Sequence, residues 1–147
     1  MTLGPRSHAP SLRVSGLVAR HGELAYEEIA RLDGSIPDLG AVADGFVGRA
    51  VPMSAVIDRA RPDRRAAYIT VESDDGFYRA SIPLRELAEK GWLAHSLGEG
   101  PLPRERGGPL RVVVPRGRTL CWNVKSVAEL RFTAQPEPDG VPDDPPH

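Results

Sequence analysis

The sequence predicts an α+β fold: a single domain of short strands in mixed or antiparallel order, with small helices at its edges. Three observations carry this expectation. Glycine and proline each occur fifteen times in 147 residues, which divides the chain into short elements joined by turns. Alternating segments on either side of Asp74-Asp75-Gly76 form a hairpin pattern. Every stretch with helical spacing is short, two or three turns at most. The length suits one domain able to bury its own core.

The elements follow in order. Residues 1–10 are expected to be a flexible arm and 11–134 the folded domain. Ser11 to Val18 reads as a strand, with Leu12 and Val14 on one face and a bend at Gly16. Tyr26, Ile29 and Leu32 recur every three residues, so Glu23 to Leu32 predicts a short amphipathic helix that Asp33-Gly34 stops. Ser35 to Gly48 holds no sustained period and reads mostly as loop. Met53, Val56, Ile57 and Ala60 make one stripe, which predicts a second helix over Met53 to Ala60. Ala66 to Glu72 and Phe77 to Ile82 are the two hairpin strands. Pro83-Leu84 opens a third helix running to Lys90, with Leu84, Leu87 and Ala88 inward and Gly91 as its stop. Residues 98–109 read as loop, Leu110 to Val114 as a strand and Ser126 to Thr133 as the last strand. The segment from Gln135, QPEPDGVPDDPPH, has too few apolar groups to offset ordering entropy and is expected to be a disordered tail.

Charge is nearly balanced, with 19 basic and 20 acidic side chains, so no global field points to a nucleic acid or a membrane. No apolar run is long enough to span a bilayer. The first residues, MTLGPRSHAPSLRV, lack the apolar core of a secretory leader. A single cysteine forms no internal disulfide, which suits a reducing cytoplasm. His8, His21, His95 and His147 show no metal-ligand spacing, so no zinc site is expected.

The stretch from Leu102 to Phe132 is where chemistry concentrates. An arginine-rich turn, a short apolar strand and a second basic loop follow one another, an order suited to an anionic ligand held by cations and backbone amides. Arg111, between Leu110 and Val112, is either an anion contact or half of a salt bridge. Gly107-Gly108 either brings amides to a ligand or simply makes a turn; no phosphate-loop pattern surrounds the pair. Cys121 has three readings. The first is a small buried hydrophobe beside Leu120 and Trp122. The second is a reactive thiol favoured by Arg116, Arg118 and Lys125. The third is a metal ligand sharing a pocket with Lys125, at most about 13 Å of extended chain away. Asp74 and Asp75 are fully explained by a turn. Arg59, Arg61, Arg64 and Arg65 are interrupted by Asp58 and Asp63 and lack stacking aromatics, so a solvated turn is expected there.

Several segments in a fixed order resemble the molybdopterin-binding domain of the sulfite oxidase-like oxidoreductases. They are Leu12-Arg13-Val14-Ser15-Gly16-Leu17-Val18, Leu24-Ala25-Tyr26-Glu27-Glu28-Ile29, Gly48-Arg49-Ala50-Val51-Pro52-Met53 and Ser73-Asp74-Asp75-Gly76-Phe77. Leu102-Pro103, Gly107-Gly108-Pro109-Leu110-Arg111, Val112-Val113-Val114-Pro115 and Asn123-Val124-Lys125-Ser126-Val127 complete the set. The resemblance spans roughly residues 11–133. It implies a mixed α+β domain, a molybdenum–molybdopterin cofactor, and a cofactor-binding set of Arg106, Arg111, Asn123 and Lys125. Arg106 stands where that family usually has histidine, and its planar fork still suits a phosphate. The family's metal-binding cysteine would fall between Asp33 and Val47, an interval that contains none; thiolate is the soft ligand that anchors the metal. The resemblance therefore implies either a molybdenum oxidoreductase or a relative that has lost the metal cofactor. The alternative is a non-catalytic binding or interaction module that keeps the fold. No protein partner is indicated.

Overall fold

The computed structural model describes residues 10–138. In chain order the elements are β1 (Ser11–Gly16), β2 (Gly22–Ala25), α1 (Tyr26–Ala30), β3 (Arg49–Pro52), α2 (Met53–Ala60), β4 (Tyr68–Ser73) and β5 (Arg79–Pro83). There follow α3 (Leu84–Lys90), β6 (Trp92–Leu97), β7 (Gly100–Pro101), β8 (Arg111–Val113) and β9 (Val127–Thr133). Short 3-10 turns lie at Leu39–Ala41, Arg104–Arg106 and Leu120–Trp122.

The strands form two sheets. The larger runs β2-β1-β9-β4-β5, with β1 and β9 parallel and the other neighbours antiparallel. In the smaller sheet β6 pairs with β3, β7 and β8, all antiparallel. This is the expected α+β class with mixed pairing.

The core follows from side-chain alternation. Leu12 and Val14 of β1, Ile69 and Val71 of β4, and Leu130 and Phe132 of β9 are buried together. The helical stripe Met53, Val56, Ile57 and Ala60 is buried as a unit. The other face of the larger sheet is polar. Ser15 donates to Glu129 at 2.7 Å, and Arg131 pairs with Glu72 and Glu129, each at 3.4 Å. Glu137 is docked on this face as well. It accepts from Thr70 Oγ1 at 2.7 Å and Arg131 Nε at 3.1 Å, while its amide donates to Ser81 at 3.1 Å. The Thr70 hydroxyl, foremost, holds the Glu137 carboxyl below the usual range.

Three expectations about elements need correction: those over Glu23 to Leu32, residues 98–109 and Gln135 onward. The helix read over Glu23 to Leu32 is only five residues long, because Leu24 pairs with Leu12 as a strand. Ser35 to Gly48 is mostly loop, as expected, tied to β3 by an isolated Ile36–Ala50 bridge. Trp92–Leu97, unassigned from sequence, is the centre of the smaller sheet, and Gly100–Pro101 adds a short strand to its edge. Gln135 to Pro138, read as the start of the tail, lie along the polar face through Glu137. The remainder of that tail and residues 1–9 of the arm lie outside the described residues.

Candidate functional site

Four chain segments converge on one cavity of about 520 Å³: the turn between β4 and β5, the 3-10 turn at Arg104, the start of β8, and residues 120–126. Arg111, Cys121, Asn123 and Lys125 all line it. Arg106 does not. It lines a neighbouring cavity of about 120 Å³ beside Phe46, and Arg111 forms the wall between the two.

Arg111 is the residue on which the site turns. Its strand position opposite Ala94 of β6 fixes the backbone, and the side chain is half-buried. Nε is buried and has no hydrogen-bond partner, while Nη1 reaches the Arg106 carbonyl only at 3.4 Å. The guanidinium lies 4.8 Å from the centre of the Phe46 ring, within cation–π range. Among the described residues no carboxylate pairs with it, so the salt-bridge reading does not describe it. Burial lowers its pKa, though a guanidinium stays charged at any physiological pH. A partly buried cation without a counter-ion is an incomplete arrangement that an anion would complete.

The glycine pair has a structural explanation. Gly107 sits at φ +88°, and a Cβ there would lie 2.6 Å from Arg111 Cδ. A Cβ on Gly108 would lie 1.7 Å from the Leu102 carbonyl oxygen. Both amides are already used, Gly107 N donating to Arg104 O and Gly108 N to Pro103 O, each at 2.9 Å. The pair therefore shapes the loop around Arg111 and offers no amide cradle to a ligand.

Residues 123–126 close the cavity from the other side. Asn123 Oδ1 accepts from the Val114 amide at 2.7 Å, which braces the 114–123 loop. Ser126 N donates to Gly107 O at 2.7 Å and Ser126 Oγ to Gly108 O at 2.5 Å, which clips the two loops together. Lys125 is exposed, and among the described residues no carboxylate pairs with it. Opposite stands a pair that sequence reading passed over. Arg104 meets Asp74 at 2.6 Å, a contact that raises the arginine pKa. Asp75, held low first by the Ser73 hydroxyl and then by the Phe77 amide, is an ionised turn residue. The cavity is thus cationic on one side and carboxylate-bearing on the other.

Cys121 is exposed, not buried. The 3-10 turn at Leu120–Trp122 turns Trp122 inward and leaves Leu120 85% exposed and the thiol open to solvent. Tyr78, another residue the sequence did not flag, donates its hydroxyl to the Cys121 carbonyl at 2.8 Å. Of the three cations placed near this thiol by sequence, Lys125 shares its cavity. Arg118 is engaged elsewhere, at 2.6 Å from Glu86 and 5.2 Å from the Trp122 ring. Of the arginines read as a solvated turn, Arg59 lies within α2 and pairs with Glu28, and Arg65 pairs with Asp63. Among the described residues no group of three His, Cys, Asp or Glu side chains is arranged to hold a metal ion.

Comparison with known proteins completes the description. The model of the oxidoreductase molybdopterin binding domain matches residues 46–141. Nitrate reductase [NADPH] of Leptosphaeria maculans is 37% identical over 93 residues, covering 58% of this chain and 10% of the relative. The Fusarium oxysporum nitrate reductase [NADPH] is 32% identical over 96 residues, with the same coverage of both. The chain thus spans about a tenth of the length of these curated relatives. In fold it is similar to the sulfane dehydrogenase SoxCD from Paracoccus pantotrophus, with a TM-score of 0.66 at 20% identity over 86% of this chain and 39% of that one.

Proposed function

The chain belongs to the oxidoreductase molybdopterin-binding domain family and has a sulfite oxidase-like fold, and from that premise we propose that it binds the phosphate-bearing pterin of a molybdenum cofactor in the cavity beside Arg111. The observation that carries this reading is the state of Arg111: half-buried, with an Nε that has no partner and a guanidinium that has no carboxylate among the described residues, on the wall of a cavity it shares with Lys125. These two cations fit the anionic end of such a group. Arg106, one cavity away, adds charge on the far side of Arg111.

The metal end fits less fully. The chain has one thiol, Cys121, and it faces this cavity; the interval from Asp33 to Val47 offers none. When bound, the cofactor would supply oxygen-atom or electron transfer. The protein's own work would be to bind and orient. The Arg111 fork and Lys125 would take the negative charge, the Ser126 contacts would hold the two loops together, and the Asn123 contact would brace the 114–123 loop. Activity and substrate remain with the proposal, as does a cytoplasmic setting suggested by the lone cysteine.

The missing thiol favours a second reading, a binding module that keeps the pterin site without the metal. Full-length protein purified from a molybdenum-cofactor-producing host separates the two. The first reading expects near-stoichiometric molybdenum and pterin. Pterin without molybdenum, with retention unaffected by Cys121→Ser, supports the second. Protein carrying neither overturns both.

A further inference from the structure

We infer that Phe46 is a positioning residue for Arg111, holding its guanidinium as a preformed fork before any anion arrives. The inference rests on the anion-binding reading of the cavity and adds a residue from outside it. Phe46 lies in the loop between α1 and β3, sixty-five positions before Arg111 in the sequence, and it lines the small cavity rather than the large one.

Four observations carry it. The Phe46 ring centre lies 4.8 Å from the guanidinium carbon. Nε is buried with no hydrogen-bond partner, and the 3.4 Å reach from Nη1 to the Arg106 carbonyl is a weak tether. Hydrogen bonding therefore does not fix this side chain. Gly107 confines the stem, since a Cβ there would stand 2.6 Å from Cδ. The aromatic face and the absent Cβ together define a slot for the side chain between the two cavities.

An unrestrained arginine loses rotamer freedom when it grips an anion, and that loss weakens binding. An aromatic face opposes the loss without itself taking up an N–H donor. A carboxylate partner would hold the side chain equally well and would compete with the ligand. The ring leaves the positive charge uncompensated. This is the arrangement expected where a cation must be rigid and still receptive.

The test uses the full chain and inorganic phosphate at low ionic strength, with Phe46→Leu, Phe46→Trp and Arg111→Gln. Phe46→Leu should weaken phosphate binding about tenfold, the scale of ordering one long side chain, and Phe46→Trp should restore it because the π-face returns. A ligand-free readout accompanies the titration. The Arg111 Nε–H signal should be rigid on the nanosecond scale by 15N relaxation in the wild type and Phe46→Trp, and mobile in Phe46→Leu. If Arg111→Gln abolishes binding while Phe46→Leu leaves both affinity and Nε order unchanged, the inference is overturned and the anion-binding reading stands. A wild type that does not bind phosphate removes that reading, and with it this inference, whatever the relaxation data show. Loss of binding and order in Phe46→Leu without rescue by Phe46→Trp would mark Phe46 as a packing residue only.

Discussion

Gly107→Ala should impair the candidate site more than it impairs the fold, and Gly98→Ala supplies the control. Both glycines have positive φ, +88° and +66°, so an alanine at either meets the left-handed penalty of about 1–2 kcal/mol. They differ in surroundings. A Cβ on Gly98 meets nothing within 4 Å. On Gly107 it would stand 2.6 Å from Arg111 Cδ, where ordinary contact begins near 3.4 Å, so the arginine must yield by about 0.8 Å. That stem is flexible, so the clash adds little to the backbone penalty. The displacement instead pulls the guanidinium from the Phe46 ring and from the Arg106 carbonyl. Urea unfolding should therefore show similar losses for the two variants, about 1–2 kcal/mol each, with Tm lower by roughly 2–8 °C. Phosphate titration should separate them: Gly98→Ala unchanged, Gly107→Ala weakened about tenfold or more. Equal affinities in the two variants would refute the packing argument for Arg111.

Other perturbations reach different parts of the molecule. His95 is 2% exposed, bonds Ser96 Oγ through Nδ1 at 2.6 Å and leaves Nε2 unpartnered; burial, then Arg49, lowers its pKa. The unfolded chain then binds the proton more readily than the folded one. Stability should be constant above the unfolded pKa of about 6.5 and fall as pH drops below it, by at most about 1.4 kcal/mol per pH unit, levelling off once the folded pKa is passed. Urea midpoints of wild type and His95→Gln between pH 7.5 and 5 measure this, and an equal slope in the two would count against it. Asp74→Asn removes the carboxylate facing Arg104 and should tighten phosphate binding severalfold at low salt, an effect that 0.5 M salt suppresses. The same change should alter the unfolding free energy in urea by less than about 1 kcal/mol, as expected for an exposed pair. Phe132→Ala, fully buried in the middle strand of the larger sheet, should cost about 3–5 kcal/mol in urea unfolding.

What could be read from sequence followed local physics closely. The stripe Met53, Val56, Ile57 and Ala60 needed only its own period to be recognised, and the structure buries all four. The Asp74-Asp75-Gly76 turn carried its own chemistry. Within Glu23 to Leu32, Tyr26 and Ile29 do mark a helix, but its start lies later than the period suggests, because the pairing of Leu24 with Leu12 is a tertiary fact that overrides the local pattern. Trp92–Leu97 carries no alternation because nearly all of it is buried, including His95 and Ser96. At the cavity, Arg111 and Lys125 belong to one basic stretch and the structure brings them together, but the Arg104–Asp74 contact joins residues thirty positions apart and left no trace in spacing. Of the three readings of Cys121, the buried one came from its neighbours Leu120 and Trp122. A single 3-10 turn, invisible to alternation, sends Trp122 inward and leaves Leu120 and Cys121 exposed.

The parallel pairing of β1 with β9 gives the chain a definite order of assembly. Val14 of the first strand sits beside Leu130 of the last, and β9 also separates β1 from β4. Until residues 127–133 emerge from the ribosome, β1 and β4 each present an unsatisfied edge, the kind that recruits other strands. Ser126, immediately before β9, is also the residue that clips the Arg111 loop. Closing the sheet and setting the cavity are therefore one late event, with high contact order. A nascent chain stopped before Val127 would be both aggregation-prone and unable to hold an anion, and a ligand that stabilises the cavity would draw the final strand into place.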